Sequence, residues 1–284
     1  MAIIMLCYAR SGGTLLNKCL GSLPNTIVLS EVNPIGGGIG KDKENSFVTV
    51  YEQAKNWYNI ELKNRDFKNA VFELEEYCIN NNFNLIIRDW TIVNFAPMRK
   101  NHYQPCHDFL TLNELEELTP KVFAFARDSI DVWISRGMKN CDDFFTDYTR
   151  YIDKLFEWNI PIFKFEDFTK SPKSEFKKIC DFLEIEYTDI LSDFHKFTKV
   201  NGDIQLGNLS RGGKKSKIVP LKRKNIPFFK INEINNCHSM IRTNKKVNYP
   251  TTYCKNPNMF IKINKTLSYY INWLFKKIKK KICF

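Results

Sequence analysis

At 284 residues, 43% hydrophobic and 26% charged, the chain has the size and composition of a soluble globular protein with one substantial core. No apolar run reaches about eighteen residues and no signal-peptide pattern is present, which excludes a membrane-spanning helix and predicts a cytoplasmic protein. Nine cysteines without a Cys-x-x-Cys pair, and four histidines without ligand spacing, exclude a recognisable zinc or redox motif and fit reduced thiols.

In chain order, Ile3 to Tyr8 reads as a buried strand that passes through Ala9-Arg10-Ser11-Gly12-Gly13-Thr14 into a helix from Thr14 to Leu20. Two glycines let backbone amides approach an anion, Ser11 and Thr14 offer hydroxyls, Arg10 offers a charged fork, and the helix N-terminus points at the same spot. That is the chemistry of a phosphate cradle, although an ordinary strand-turn-helix connection has the same outline. The turn lacks the Gly-Lys-Ser/Thr ending of a Walker loop, which counts against a small-molecule kinase of the P-loop type.

Further strands are expected at Ile27 to Leu29, Leu85 to Ile87, Val122 to Phe125 and Ile162 to Phe165. Helices are expected within Phe47 to Asn80, at Asn113 to Leu118, from Ile130 to Trp158, and from Lys173 to Leu183. Short strands apolar on both faces, alternating with helices, predict an α/β fold with a central parallel sheet flanked by helices. Ligands of such a sheet bind at the carboxyl ends of the strands, and Arg10, Glu31, Arg88, Arg127 and Glu166 all follow strand ends. Ile35 to Gly40 and Val200 to Lys224 read as loops.

The fourth strand repeats the pattern of the first. It delivers Arg127-Asp128-Ser129 into a helix, with Ser129 as the expected N-cap and Asp131 in the positive first turn. Arg127 and Ser135, eight residues apart, can converge on a second phosphate; a capped surface helix with Arg127 in a salt bridge is the plainer alternative. Trp90 can stack on a sugar or fill the core.

Taken together, these segments resemble a sulfotransferase that uses 3′-phosphoadenosine 5′-phosphosulfate (PAPS). Arg10 to Thr14 is similar to the family's 5′-phosphosulfate loop, and Arg127, Asp131 and Ser135 are similar to its 3′-phosphate motif. Phe163-Lys164-Phe165-Glu166-Asp167-Phe168, followed by Ser171-Pro172 and Phe182-Leu183, resembles the family's later strand, turn and helix. Gly207-Asn208-Leu209-Ser210-Arg211-Gly212-Gly213 resembles the basic glycine loop that closes over the cofactor. The nearest branch in pattern holds tyrosylprotein and carbohydrate sulfotransferases and their bacterial relatives, in which an Arg replaces the loop lysine and a Glu follows the second strand, as Glu31 does here. Gly13 departs from that pattern, where a hydroxyl residue is usual, and Ser129 replaces a common proline.

The resemblance implies a P-loop-like sulfotransferase fold and PAPS as donor, with 3′-phosphoadenosine 5′-phosphate (PAP) as product. Arg10 would hold the bridging oxygen, the segment Ser11, Gly12, Gly13, Thr14 and Leu15 the 5′-phosphate, Arg127 and Ser135 the 3′-phosphate, and Arg211, Gly212 and Gly213 would close over it. Glu31 is the candidate base that deprotonates the acceptor; Asp89 is its rival, and His102 and His107 are weaker ones. No metal is called for. The acceptor is read as a glycan, with a tyrosine side chain or a small alcohol as alternatives. A non-enzymatic protein that uses a basic tail to bind membrane or nucleic acid is the competing class.

The net charge of +12 is uneven: eleven Lys or Arg and no acid follow Ile234, which leaves +1 for residues 1–233. A sulfotransferase domain at 1–233 with a basic extension at 234–284 is therefore expected. In that extension Phe260, Ile263, Leu267, Ile271, Leu274, Ile278 and Ile282 recur at helical spacing among seven lysines. Such a basic amphipathic helix suits an anionic membrane surface as well as it suits packing on the core, and no nucleic-acid partner is expected.

Overall fold

The computed structural model describes residues 2–35, 49–97, 104–138, 140–201 and 217–253. Five strands occur among them: β1 (Ile3–Leu6), β2 (Thr26–Val32), β3 (Asn84–Asp89), β4 (Lys121–Ala126) and β5 (Ile162–Lys164). The helices are α1 (Gly13–Gly21), α2 (Val50–Tyr58), α3 (Phe67–Asn80), α4 (Ile92–Phe95), α5 (Leu110–Glu114), α6 (Ser129–Ser135), α7 (Cys141–Glu157), α8 (Phe165–Lys170), α9 (Pro172–Leu183), α10 (Phe228–Asn235) and α11 (His238–Lys246). The chain divides into two compact units, Met1–Arg127 with Arg150–Leu221, and Asp128–Thr149 with Lys222–Phe284.

The first unit is built on a parallel sheet of order β2-β3-β1-β4-β5. Its strands are apolar on both faces because both are covered. Ile3, Met5 and Cys7 of the central strand and its extension join Phe123 and Phe125 of β4 beneath Leu16, Cys19 and Leu20 of α1 and Phe165, Phe168, Phe176 and Ile179 of α8 and α9. Tyr8, next in the alternation after Ile4 and Leu6, meets Tyr151 at 5.4 Å between ring centroids, and Tyr151 meets Phe95 and Phe109 edge-on. Each fully buried Ile or Phe contributes about 1.5–3 kcal/mol relative to exposure. The chain leaves β1 toward one edge of the sheet and β4 toward the other. The carboxyl ends of these two neighbours therefore form the switch point at which an open α/β sheet binds ligands.

Several boundaries differ from expectation. The helical stretch in 47–80 is two helices: α2 starts on a capping box, with the Thr49 hydroxyl accepting from the Glu52 amide, and α3 starts on Asp66, which accepts from the Asn69 amide. The helix expected at Asn113 to Leu118 is α5 followed by a 3₁₀ turn at Glu116–Leu118.

The second unit corrects two further expectations. The cap of α6 is Asp128, whose side chain accepts from the Ile130 amide at 2.9 Å, and Ser129 is instead the first helical residue. The helix expected from Ile130 to Trp158 breaks at Gly137 (φ 86°): the Gly137 amide donates to Ile134 O and the Met138 amide to Trp133 O, the pair of bonds that closes a Schellman cap. The Ser129 hydroxyl donates to Asn244 Oδ1 of α11 at 2.5 Å, and Thr149 and Thr243 share a hydroxyl contact of 2.6 Å. The expected boundary at 233 falls inside α10. No described helix is long and apolar enough to cross a membrane.

Candidate active site

The loop after β1 turns within three residues. The Ser11 amide donates to Tyr8 O, Arg10 takes φ 78° and Gly12 φ 91°, and the amides of Leu15 and Leu16 donate back to Gly12 O to start α1. A Cβ on Gly12 would lie 2.3 Å from the Phe165 ring, and one on Gly13 would lie 2.5 Å from Cys7 Sγ and 3.0 Å from Arg88 Nε. Gly13, the departure from the family pattern, is thus required by the close approach of β1 and β3 beneath the loop. Arg10 stands exposed at the mouth, Thr14 and Leu15 are half-buried, and Ser11 is buried. Ser11 Oγ and Arg88 Nε are buried polar atoms without a hydrogen-bond partner among the described residues, and a phosphate above the loop would suit both. Cys7, under the loop, stays a thiol, since burial pushes its pKa up to about 11 against the weaker pull of Arg88.

Glu31 sits where the register of β2 on β3 shifts: Ser30 pairs with Arg88 and Val32 with Asp89, so Glu31 is the extra residue of a β-bulge. Its φ of 54° is left-handed, unusual for a residue with a side chain, and turns the carboxylate out of the alternation. Arg88 Nη2 donates to Glu31 Oε1 at 2.6 Å, and Arg88 Nη1 donates to Thr14 Oγ1 at 3.4 Å. One buried guanidinium therefore ties the candidate base to the candidate phosphate loop. From its sequence position Arg88 is only a strand-end residue; the signal for more is an arginine continuing the apolar run Leu85-Ile86-Ile87, where burial demands partners.

Asp89 lies elsewhere. Its side chain is 1% exposed, and its Oδ1 accepts from Asn33 Nδ2 at 2.8 Å and from the Thr111 hydroxyl at 2.6 Å. Burial pushes its carboxyl above the usual range, with hydrogen bonds from Thr111, Thr91 and Asn33 opposing. These contacts fasten the β3 end to α5 and suit a structural carboxylate. Burial, with Arg150 beside it, holds the His107 imidazole below its usual pKa, and its Nε2 lies 3.1 Å from Arg150 Nη1. Trp90 is half-buried, with its amide donating to Val32 O. His102 lies outside the described residues.

Arg127 closes β4 in the first unit, 4.9 Å over the Phe165 ring and 4.0 Å from Glu166 Oε1. In the second unit Ser135 is half-buried at the last turn of α6. The start of that helix is held by Arg223, which binds Asp128 and reaches Asp131 at 3.2 Å. Burial pushes the Asp128 carboxyl up while Arg223 opposes it. Arg211, Gly212 and Gly213, the glycine loop around them, and the amphipathic run Phe260 to Ile282 lie outside the described residues.

The family model described as Sulfotransferase domain matches residues 39–236. That match begins after the glycine loop that follows β1 and after Glu31, so their geometry is a separate observation. Among solved structures, the chain is similar to the sulfotransferase domain from the curacin biosynthetic pathway, at 14% identity and TM-score 0.56, with 87% of this chain and 97% of that one covered. It is also similar to the sulfotransferase domain from the Synechococcus PCC 7002 olefin synthase, at 11% identity and TM-score 0.55, with 88% and 95% covered. At such identities the likeness is one of fold. No curated protein matches the chain.

Proposed function

The chain belongs to the sulfotransferase domain family, a class of PAPS-dependent enzymes, and on that premise we propose that it sulfates a hydroxyl of a glycan with Glu31 as general base. The donor supplies an electron-poor SO₃ group on a good leaving phosphate, so the protein's task is positioning and charge stabilisation. The acceptor oxygen bonds to sulfur in line as the sulfur–phosphate-oxygen bond breaks, and Glu31 takes the acceptor's proton. Arg88 keeps that carboxylate beside the loop. Amides of the segment from Ser11 to Leu15 would receive the 5′-phosphate, with Arg10 at the mouth meeting charge that grows on the bridging oxygen. Arg127 and Ser135 are assigned to the 3′-phosphate, with Arg211, Gly212 and Gly213 over it.

The observation that carries this reading is the Glu31–Arg88–Thr14 chain of contacts, which joins a bulge-presented carboxylate to a phosphate cradle. Glu31→Gln tests it, because Gln keeps the size and removes the proton chemistry. Sulfate transfer to a glycan panel should fall by on the order of a hundredfold or more while calorimetric PAP affinity is retained. Full turnover in Glu31→Gln, with loss in Asp89→Asn, would move the role to Asp89.

A further inference from the structure

β2 is an edge strand, so its alternate residues turn their amides and carbonyls toward a side where no further strand receives them. Helix α2 takes that place with two side chains. The Tyr58 hydroxyl accepts from the Val28 amide and donates to Val28 O, both at 2.9 Å. Gln53 Oε1 accepts from the Ser30 amide at 2.7 Å, and Gln53 Nε2 donates to Ser30 O at 2.9 Å. Five residues of helix advance about 7.5 Å and two residues of strand about 6.6 Å, so one helix can serve both positions. Gln53 and Ser30 are fully buried. Asn201 completes the hold: its amide donates to Ser30 Oγ at 3.1 Å and its Nδ2 to Ser30 O at 2.6 Å.

Ser30 is the residue before the bulge. On the other side of the bulge Val32 O accepts from the Trp90 amide at 2.9 Å, so Glu31, at φ 54°, stands between two anchored neighbours. A residue with a side chain keeps such a conformation where its surroundings over-determine it. Resting on the reading of Glu31 as the base, we propose that Gln53 is a positioning residue for sulfuryl transfer. Its carboxamide clamps Ser30, and the clamp keeps Glu31 in the left-handed turn that presents its carboxylate to Arg88. A carboxamide suits this task because it offers a donor and an acceptor side by side, as the backbone of a neighbouring strand would. A carboxylate at the same place lacks the donor and sets an oxygen against Ser30 O. The clamp acts on β2, so its loss reduces turnover and spares cofactor binding.

The test compares two variants of the full chain: Gln53→Met, and Tyr58→Phe, which removes the same kind of bond pair at Val28, farther from the bulge. In a crystal structure of Gln53→Met, residue 31 should leave the left-handed region and Glu31 Oε1 should part from Arg88 Nη2, whereas Tyr58→Phe keeps both features. Their persistence in Gln53→Met overturns the proposal. In sulfate transfer from PAPS to the glycan panel, kcat of Gln53→Met should fall by on the order of tenfold to a hundredfold, with KM for PAPS and calorimetric PAP affinity at the parent level. Tyr58→Phe should lower the urea midpoint yet keep the parent kcat. A parent-like kcat in Gln53→Met, or equal losses in the two variants, speaks against the proposal, since general support of the sheet edge predicts no difference between them. Gln53→Glu, which keeps the size and the acceptor but not the donor, carries the same expectations if Gln53→Met lowers the folded fraction. Full turnover in Glu31→Gln would instead remove the reading on which the inference rests, and the geometry of residue 31 in the Gln53→Met crystal would still decide the clamp.

Discussion

Glu31 and Gly12 show two ways in which a left-handed backbone serves the same site. At Glu31 a side chain is held at φ 54°, a conformation that costs of order 1 kcal/mol or more and persists where surrounding structure over-determines it, here the bulge and the Arg88 ion pair. At Gly12 the conformation itself is easy, but Phe165 fills the space a side chain would need. Gly12→Ala therefore adds a collision to a strain of about 1–3 kcal/mol, and thermal unfolding should shift down while PAP binding weakens beyond detection in calorimetry. Parent-like melting and affinity would show that the loop adapts. Asp89 calls for a pH experiment. Its folded-state pKa is raised by burial, so the folded protein holds that proton more tightly than the unfolded chain does. The associated stability is complete below the unfolded value of about 3.9 and is lost as pH rises through the raised folded value. Asp89→Asn keeps an acceptor for Asn33 and Thr111 and removes the charge. Its urea midpoint relative to the parent should therefore rise between about pH 4 and pH 7, and a flat or falling difference would contradict the burial argument.

Among elements, the break between α6 and α7 is the most informative. Helical periodicity runs through 130–158, and the one local stop signal, Arg136-Gly137, is easily passed over because an isolated Gly is tolerated in helices at a cost of about 1 kcal/mol. The Schellman bonds at Gly137 give that glycine a different role, and a Cβ there would meet nothing within 4 Å. Gly137→Ala should consequently cost only the backbone term, about 1 kcal/mol, read as a lowered urea midpoint with unchanged slope. A neutral substitution would mean that the turn relaxes to another geometry. The β-strands were more legible than the helices, because runs such as Ile3-Ile4-Met5-Leu6 and Val122-Phe123-Ala124-Phe125 leave a two-faced buried strand as the natural reading. Their ends were less so: β2 continues to Val32 through a bulge that no periodicity announces.

For the whole molecule, we propose that the basic extension attaches the enzyme to an anionic membrane surface at the cytoplasmic face, near a membrane-linked acceptor. By sequence spacing alone, Phe260, Ile263, Leu267, Ile271, Leu274, Ile278 and Ile282 would share one face of a helix, and the cluster from Lys276 to Lys281 would gain about 1 kcal/mol per charge near anionic lipid. Sedimentation with anionic vesicles at low salt should carry down the full chain, leave a chain ending at Asn258 in the supernatant, and fail with neutral vesicles. Equal recovery of both chains in the supernatant would leave the extension a structural element only. Salt should weaken the attachment, since it screens exposed charges within about 10 Å at 0.1 M.

By itself the sequence determined the fold class, the glycine turn after the first strand and the residues at strand ends, because apolar run length, glycine placement and charge at a strand terminus are local properties with local physical causes. The places of Arg10, Gly12 and Glu31 at the ends of β1 and β2 are legible on those grounds. Tertiary structure decided what depends on neighbours distant in sequence. Arg88 lies 57 residues from Glu31 and 74 from Thr14, and only the pairing of β3 between β1 and β2 brings its guanidinium to both. The same holds for Asp89, which lies at a strand end as Glu31 does and is enclosed by Asn33 and Thr111. It holds again for Gly13, whose missing side chain is explained by Cys7 and Arg88 pressing from below. A strand end announces where polar groups emerge; which of them meets solvent, and which is sealed into the core, is set by the packing of elements that the local sequence does not encode.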